Sequence, residues 1–447
     1  MARLDEPSSH DPNHSIAPAR ACAYAVVRRV FEREAWADRA LRGEARRLAL
    51  DARDLALATQ LSYGTVQRVA TLDHVIGRLA RRPAAKLDAP IKAALRLGVF
   101  QLTFLDRVPA HAAVSDAVEL AKRDAPRGAG FVNAVLRRAT HEARAIVAAL
   151  EDATPEQAAL AHSHPDWIAR LWFDTLGPEA ARALLRADNE PAEPSIRANT
   201  LKASPETLAA TLPAHQVDEE ALILDAPFDT FGSPEWEQGL LMPQSRAAMA
   251  VSRILDPQPG EAVLDLCAAP GGKTTHLAAL MGNEGEVTAV ELHPGRADAL
   301  RRTAARMGAT IVSVETRDAT APAAQRYDRV LVDPPCSDLG TLASRPDARW
   351  HKAGRPEQLA PLQARILAAG ADAVRPGGTL VYSTCTISPA ENEHVVQAFL
   401  AEHTDFTAED LGSRVPVWKH PTMPQYLQTL PHRDRTDGFF IARLSRG

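Results

Sequence analysis

Two cysteines close apolar runs in the C-terminal half of this chain: Cys336 follows Arg329-Val330-Leu331-Val332-Asp333-Pro334-Pro335, and Cys385 follows Leu380-Val381-Tyr382-Ser383-Thr384. Only the thiolate form of cysteine is a good nucleophile, so a site that uses one must lower its pKa or supply a base. Two thiols with a carboxylate suit one reaction well. Carbon 5 of cytosine is a poor nucleophile, but adding a thiolate to carbon 6 makes an enamine whose carbon 5 can attack a methyl sulfonium. Asp333 would then hold ring N3 and the exocyclic amine and balance charge during the addition. The second thiol would assist when the carbon-5 proton leaves and the first thiol is expelled. The competing reading makes both cysteines small buried hydrophobes at strand ends, which is common for a free cysteine. Their joint position beside a rigid Asp-Pro-Pro turn favours chemistry, but the residues alone do not say which thiol attacks.

The second reactive constellation is Val263-Leu264-Asp265-Leu266-Cys267-Ala268-Ala269-Pro270-Gly271-Gly272-Lys273-Thr274-Thr275, which reads as a strand, a tight glycine-rich turn and a helix start. Glycine lets the backbone approach a ligand, and a helix N-terminus offers free N–H groups. Gly272-Lys273-Thr274 copies the tail of a phosphate-binding P-loop, but the first glycine of that pattern would fall at position 267, which is Cys267. A dinucleotide fingerprint fails as well, because its glycine spacing is absent. Glu291 ends the next expected strand twenty residues after Gly271, where an acidic side chain holds ribose hydroxyls. Asp318 follows the third strand and could meet an adenine. A ribose at Glu291 and an adenine at Asp318, without a pyrophosphate site, point to S-adenosylmethionine. The alternative is that Glu291 caps a strand end and Asp318 starts a helix. No metal site is expected.

These groups need elements to bring them together. Residues 241–447 alternate strand and helix, with strands expected at 262–266, 286–291, 311–314, 329–332 and 379–383, and helices at 296–306 and 358–373. This is the pattern of an α/β doubly wound, Rossmann-like sheet, whose ligands bind at the carboxyl ends of the strands. Both thiols and Asp333 would converge there. Residues 148–240 read as a small α+β connecting domain with short strands at 195–199 and 222–224. Residues 17–147 read as all helix, with stretches at 51–69, 87–104, 112–123 and 131–143. Asp51 and Asp88 are N-cap candidates, and Pro83, Pro90, Pro109 and Pro126 mark breaks or first turns. Residues 1–16 read as a disordered leader.

Charge divides the chain. Residues 1–150 carry 24 Lys and Arg against 16 Asp and Glu, a balance of +8, which leaves −13 for the remainder of a chain whose net charge is −5. A basic module joined to an acidic one fits a nucleic-acid grip attached to something else, although two solvated surfaces of unequal charge would read the same way. Four cysteines make no disulfide framework, and Cys22 falls in an apolar helical stretch as a core residue. With no apolar run of membrane-spanning length and no signal-peptide core, a cytoplasmic protein is expected.

The Cys267–Lys273 turn, Asp333–Cys336 with Arg345-Pro346-Asp347, Ser383-Thr384-Cys385, Glu391-Asn392-Glu393 and Asp437-Gly438-Phe439-Phe440 together resemble the RNA cytosine-C5 methyltransferases. That resemblance implies that Cys385 is the nucleophile, that Cys336 helps release product, and that S-adenosylmethionine is held by Cys267, Ala268, Ala269, Pro270, Gly271, Gly272 and Lys273, with Glu291, Asp318 and Asp333 as further contacts. The N-terminal half is similar to the RNA-binding module of the antitermination factor NusB. It matches at Arg53-Asp54, Tyr63-Gly64-Thr65, Leu95-Arg96-Leu97-Gly98, Val108-Pro109-Ala110-His111 and Gly130-Phe131-Val132-Asn133. A NusB-like module fused to such a catalytic domain resembles the bacterial Sun/Fmu type, which implies 16S ribosomal RNA as partner and a monomer. The likeness runs from about residue 18 to the end and is looser in the middle, where Arg197-Ala198-Asn199 is the clearest match. Three departures stand out. Glu291 replaces a usual Asp, Asp338-Leu339 occupies a place where small residues are common, and Gln244-Ser245 replaces a frequent Gln-Asp.

Other functions fit parts of the pattern. An exocyclic-amine methyltransferase would need no thiol adduct. A DNA cytosine methyltransferase would exchange the roles of Cys336 and Cys385. A methyltransferase acting on another RNA, or a non-catalytic RNA chaperone or antitermination factor, would use the NusB-like half. Arg137 and Arg138 are candidates for phosphate contacts, or equally for solvated charges at a helix end.

Overall fold

The computed structural model describes residues 16–351 and 355–447, so the expected leader lies, but for its last residue, outside the described residues. The chain divides at residue 150 into two compact units. The first is all α: α1 (Pro18–Arg33), α2 (Ala37–Arg47), α3 (Ala52–Gln67), α4 (Val69–Ala80), α5 (Ala89–Phe104), α6 (Ala110–Asp124) and α7 (Ala129–Ala148). Asp51 caps α3 by accepting from the Asp54 N–H at 2.7 Å, whereas Asp88 takes the N-cap position of α5 without a side-chain bond. The single helix expected over 51–69 is broken at Arg68, whose backbone leaves the helical region (φ −99°, ψ 16°) and whose guanidinium lies 4.6 Å over the Phe104 ring. The sequence did not announce α2, because its buried face is only Ala37, Ala40, Leu41 and Glu44 among polar neighbours.

The bundle is built around α5, which buries Ala94, Leu95, Leu97, Val99 and Phe100. Arg96 on the same helix forks onto Asp73 at 2.7 and 2.6 Å and lies 4.6 Å over Phe31. Cys22 is core, and burial pushes its thiol up to about 11. The helices come close enough that a Cβ on Gly64 of α3 would fall 2.1 Å from the Phe100 ring.

The second unit opens with α8 (Pro155–Ala161), α9 (Asp166–Leu176) and α10 (Pro178–Ala187), which the sequence reading did not single out. They bury Trp172, Ile168, Leu184 and Leu185 against Leu339, Leu342, Ile387 and Leu430. An antiparallel sheet follows, with β1 (Ser195–Ala198), β2 (Ala214–Gln216), β3 (Ala221–Leu224) and β4 (Leu241–Pro243) in the order β2-β3-β1-β4. Its connections carry α11 (Pro205–Thr211) and α12 (Pro234–Glu237). β4 lies just beyond residue 240, where the connecting domain was expected to end, and pairs with β1.

The rest is a mixed eight-stranded sheet: β5 (Ala262–Leu266), β6 (Glu286–Glu291), β7 (Val312–Thr316), β8 (Tyr327–Val332), β9 (Val374–Thr384), β10 (Phe406–Ala408), β11 (Leu427–Gln428) and β12 (Phe440–Arg446). The order is β10-β12-β9-β8-β5-β6-β7, with β11 beside β12. The strands from β9 through β7 pair in parallel, and β12 runs antiparallel to β9. Its helices are α13 (Arg246–Leu255), α14 (Gly272–Leu280), α15 (Pro294–Met307), α16 (Pro356–Ala373) and α17 (Glu393–Glu402). Val330, Val332, Leu380 and Tyr382 bury into one face of the sheet, while Leu331 and Val381 bury into the other, the alternation of strands covered on both sides. The third strand falls at 312–316 rather than 311–314, and β9 reaches back to Val374. Arg197-Ala198-Asn199 clamps the small sheet to this domain: Arg197 donates to Thr275 Oγ1 at 3.0 Å, and Asn199 donates to the carbonyls of Gly239 and Met307, both at 2.7 Å.

Replacing Gly64 by Val forces the Phe100 ring to move. We expect a loss of about 1–3 kcal/mol in the bundle's unfolding transition, read in urea titrations of the full chain; an unchanged midpoint would contradict this packing.

Candidate active site

Strand order brings the carboxyl ends of β5, β8 and β9 together, because β8 pairs with β5 on one side and β9 on the other. The chain leaves β5 through Cys267, which takes a positive φ of 65°, and reaches α14 at Gly271 (φ 103°). No side chain caps α14, so its first N–H groups face the crevice. Beneath the turn, Thr274 Oγ1 donates to the buried Asp265 carboxylate at 2.6 Å. Arg296 donates to the Ala269 carbonyl at 2.8 Å and pairs with Glu291 at 3.4 Å. Burial, with Asp333 and Asp265 nearby, pushes the Cys267 thiol up to about 12.

Asp333 leaves β8 with both carboxylate oxygens engaged: Lys273 Nζ donates to Oδ2 at 2.8 Å and Ser383 Oγ to Oδ1 at 3.1 Å. Burial works against the Lys273 charge, but the Asp333 carboxylate outweighs it and holds the ammonium pKa above its usual value. The Phe439 ring lies 5.1 Å from the same ammonium. Beyond Asp333, the Cys336 and Cys385 sulfurs lie 3.2 Å apart. The contact with Cys336, then burial, pushes the Cys385 thiol well up. For Cys336 the contact with Cys385 pulls down, but burial and the charges of Asp338 and Glu391 win, so it too is raised. Both sulfurs rest as thiols.

Three loops are locked around this pair. Glu391 accepts from the Ser337 N–H at 2.9 Å, from Ser337 Oγ at 2.5 Å and from Gln363 of α16 at 2.9 Å. The Tyr382 hydroxyl donates to the Glu391 carbonyl at 2.6 Å. Thr384 Oγ1 donates to Asn392 Oδ1 at 2.5 Å, and Asn392 donates to the Thr386 carbonyl at 3.0 Å. Gly340 N–H donates to the Cys385 carbonyl at 3.0 Å, and Gly438 N–H to the Gly340 carbonyl at 2.7 Å. A Cβ on Gly340 would sit 1.9 Å from the Gly438 carbonyl oxygen, so only glycine lets these segments cross. Arg349, fully buried, donates to the carbonyls of Asp188 (2.9 Å) and Leu342 (3.0 Å) and to Asn189 Oδ1 (2.9 Å), which fixes the start of this loop region against the chain after α10.

The structure thus brings Cys336, Cys385, Asp333, Lys273 and the turn from Cys267 to Gly272 to one crevice. Glu291 sits buried at the end of β6, where its Oε1 accepts from the His293 N–H at 2.9 Å. Asp318 is exposed and starts no helix; it accepts from the N–H and hydroxyl of Thr320, both at 2.8 Å, and these bonds lower its pKa. Ser245, where an acid is frequent, caps α13 by accepting from the Ala248 N–H. The residue that the sequence reading noted only as a departure, without a role in the site, is Asp338. Its Oδ1 lies 3.0 Å from the Cys385 sulfur and 4.0 Å from that of Cys336. A carboxylate two residues after a candidate thiol was the available signal. Cys336, Cys385 and Asp338 also form a cluster within 4.8 Å that has metal-ligand chemistry, although no metal site was expected.

Residues 252–445 match the family described as 16S rRNA methyltransferase RsmB/F, residues 17–141 match the NusB family, and residues 164–229 match the ferredoxin-like domain of RsmF/B-like methyltransferases. The probable ribosomal RNA small subunit methyltransferase B of Bacillus subtilis is 35% identical over 443 residues, covering 96% of this chain and 98% of that protein. The chain belongs to the RsmB/F family. The corresponding protein of Synechocystis sp. is 36% identical over 446 residues, covering 96% and 99%. Among solved structures, PH0851 superposes with a TM-score of 0.82 at 29% identity, over 97% of this chain and all of that one. The RsmB/F assignment covers all three architectures: a NusB-like helical unit, a ferredoxin-like α+β domain and a methyltransferase sheet.

Asp265, under the glycine-rich turn, has a pH-dependent effect on stability. Burial raises its pKa from 3.8 to about 7, against the pull of Thr274. Between those values the folded chain holds a proton that the unfolded chain has released, so stability falls as pH rises from about 4 to about 7. Asp188, also raised to about 7 by burial, acts with the same sign. Asp265→Asn should therefore reduce, without abolishing, the fall in unfolding free energy across this window in urea titrations. An unchanged slope would show that Asp265 is ionised in the fold.

Proposed function

We propose that this chain transfers a methyl group from S-adenosylmethionine to carbon 5 of a cytosine in 16S ribosomal RNA, through a covalent adduct between Cys385 and carbon 6. The observation that carries this reading is the pair of sulfurs 3.2 Å apart at the ends of adjacent strands, beside the Lys273–Asp333 couple. Methylation of an amine needs neither thiol. The assignment of attack to Cys385 and release to Cys336 rests on the resemblance to RNA cytosine-C5 methyltransferases.

The cofactor would lie along Cys267, Ala268, Ala269, Pro270, Gly271, Gly272 and Lys273, with Glu291 at its ribose, Asp318 toward its adenine and Asp333 toward the methyl donor. The uncapped N-terminus of α14 and the buried Glu291 carboxylate fit such a ligand. When bound, it supplies an electrophilic methyl group on sulfur. The protein's own part is to hold the base and move protons. Asp333, fixed by Lys273 and Ser383, faces N3 and the exocyclic amine. A duplex cytosine must be flipped or already unpaired to reach this depth. The NusB-like unit supplies phosphate contacts from its basic surface. Arg137 is exposed there, whereas Arg138 is engaged by Glu142 and by the Leu79 carbonyl, which favours an anchoring role for that residue.

RNA carrying 5-azacytidine at the target should trap the native protein covalently and should not trap Cys385→Ala. Cys336→Ala should accumulate the adduct with ordinary RNA, visible as a shifted band on denaturing gels. Full methylation by Cys385→Ala would sink the covalent route, and trapping through Cys336 would exchange the two roles. Bisulfite sequencing of ribosomal RNA with and without the protein identifies the base. RNA affinity should fall steeply with salt, and an affinity indifferent to salt would remove the phosphate-contact reading.

A further inference from the structure

We infer that Asp338 is the base that takes the proton from Cys385 as this thiol attacks. The inference rests on the covalent reading above and adds to it a residue that the family pattern does not supply. Asp338 stands where the resembling sequences commonly carry a small residue.

The nucleophile needs an acceptor, because the Cys385 sulfur rests as a thiol inside a buried, acidic setting. The groups facing it are Cys336, Asp338, Asp333, Lys273 and, through the loop, Glu391 and Arg345. Most are already committed. Asp333 uses both oxygens on Lys273 and Ser383. Glu391 uses both on Ser337 and Gln363. Cys336 is itself a thiol. Asp338 divides its carboxylate: Arg345 Nη1 holds Oδ2 at 2.7 Å, and Oδ1 is turned to the sulfurs, 3.0 Å from Cys385. Thr341 donates its N–H (3.0 Å) and its hydroxyl (2.9 Å) to the Asp338 carbonyl, which fixes the backbone below.

The backbone shows that this placement has a cost. Asp338 takes φ +58°, the left-handed region that glycine adopts most freely and that Asp tolerates better than most side chains at a smaller cost. Strain of this kind persists where surrounding contacts hold it and is concentrated at functional sites. A glycine would fit the turn better, yet the chain carries a carboxylate, and that carboxylate reaches the attacking atom.

The step balances as follows. The Sγ–H bond of Cys385 breaks and its proton passes to Asp338 Oδ1. The sulfur pair forms the bond to carbon 6. The C5=C6 π pair shifts to C4–C5, and the C4=N3 pair moves onto N3, which takes a proton carried by the Lys273–Asp333 couple. Asp338 ends as the neutral acid, with Arg345 still on its other oxygen.

The test measures adduct formation with RNA carrying 5-fluorocytidine at the target, in single turnovers from pH 6 to 9. Asp338→Asn should slow the adduct by about 10²-fold at neutral pH, with the deficit shrinking as pH rises and solvent takes over removal of the thiol proton. Asp338→Glu should restore part of the rate. Asp338→Gly relaxes the turn, so it should unfold at higher denaturant than the native chain and yet be as slow as Asp338→Asn. This pairing of a steadier fold with a slower attack is one that a merely structural role does not give. Binding of S-adenosylmethionine, measured by calorimetry, should be unchanged in all three. An adduct rate for Asp338→Asn equal to the native one overturns the inference, as does a deficit that is the same at every pH. If Cys385→Ala still forms the adduct, the covalent assignment itself fails. If Cys385→Ala is inert and Asp338→Asn is fast, only the role of Asp338 is lost.

Discussion

The site depends on β8 and β9 being parallel neighbours. A parallel pair ends on the same edge of a sheet with its strands about 4.8 Å apart, so two residues just past those ends can touch without either loop folding back. Cys385 follows the last residue of β9, while Cys336 lies four residues past β8. The difference is taken up by Asp333-Pro334-Pro335, whose two prolines stiffen the path. With the register Val332 to Tyr382 fixed by the ladder, the 3.2 Å sulfur contact follows from backbone geometry. It does not require either sulfur to seek the other.

Burial and the charges around that contact push both thiol pKa values up. Among the described residues, carboxylates outnumber cations near the thiols, and the half-buried Lys273 ammonium is turned to Asp333. This is the opposite of the electropositive setting that lowers a cysteine pKa. Such a setting favours the thiol over the thiolate, so in the reaction proposed above proton removal would accompany attack. Rigid loops matter for the same reason, because a proton moves only between atoms already in contact. Glu391, Gly340 and Arg349 supply that rigidity from three directions.

Much of this was legible in the sequence. The strands of the methyltransferase sheet declare themselves because they are continuous apolar runs, and the glycine-rich turn, the Asp-Pro-Pro-Cys and Thr-Cys ends and Glu291 fall where their spacing puts them. Two kinds of information were not legible. Helices such as α2 and α8–α10 are short, and their small buried faces of alanines and a few larger residues were not singled out from the polar residues around them. Asp338 was visible only as an exception to a pattern, because its importance comes from a left-handed turn and from a sulfur 47 positions away. Arg349 is similar: a lone arginine gives no sign that its guanidinium will join carbonyls from two segments in the interior.

The strand order has a consequence for how the chain is made. β12, the last strand in chain order, is an interior strand between β9 and β10. During vectorial synthesis the helical unit, the small sheet and both reactive sulfurs emerge before it. A nascent chain at that stage carries Cys385 at the end of an open edge, with the N–H and C=O groups of β9 unpaired along one side and available to another chain. The strand that ends at Thr384 is therefore flanked on that side only once residues 440–446 pair with it.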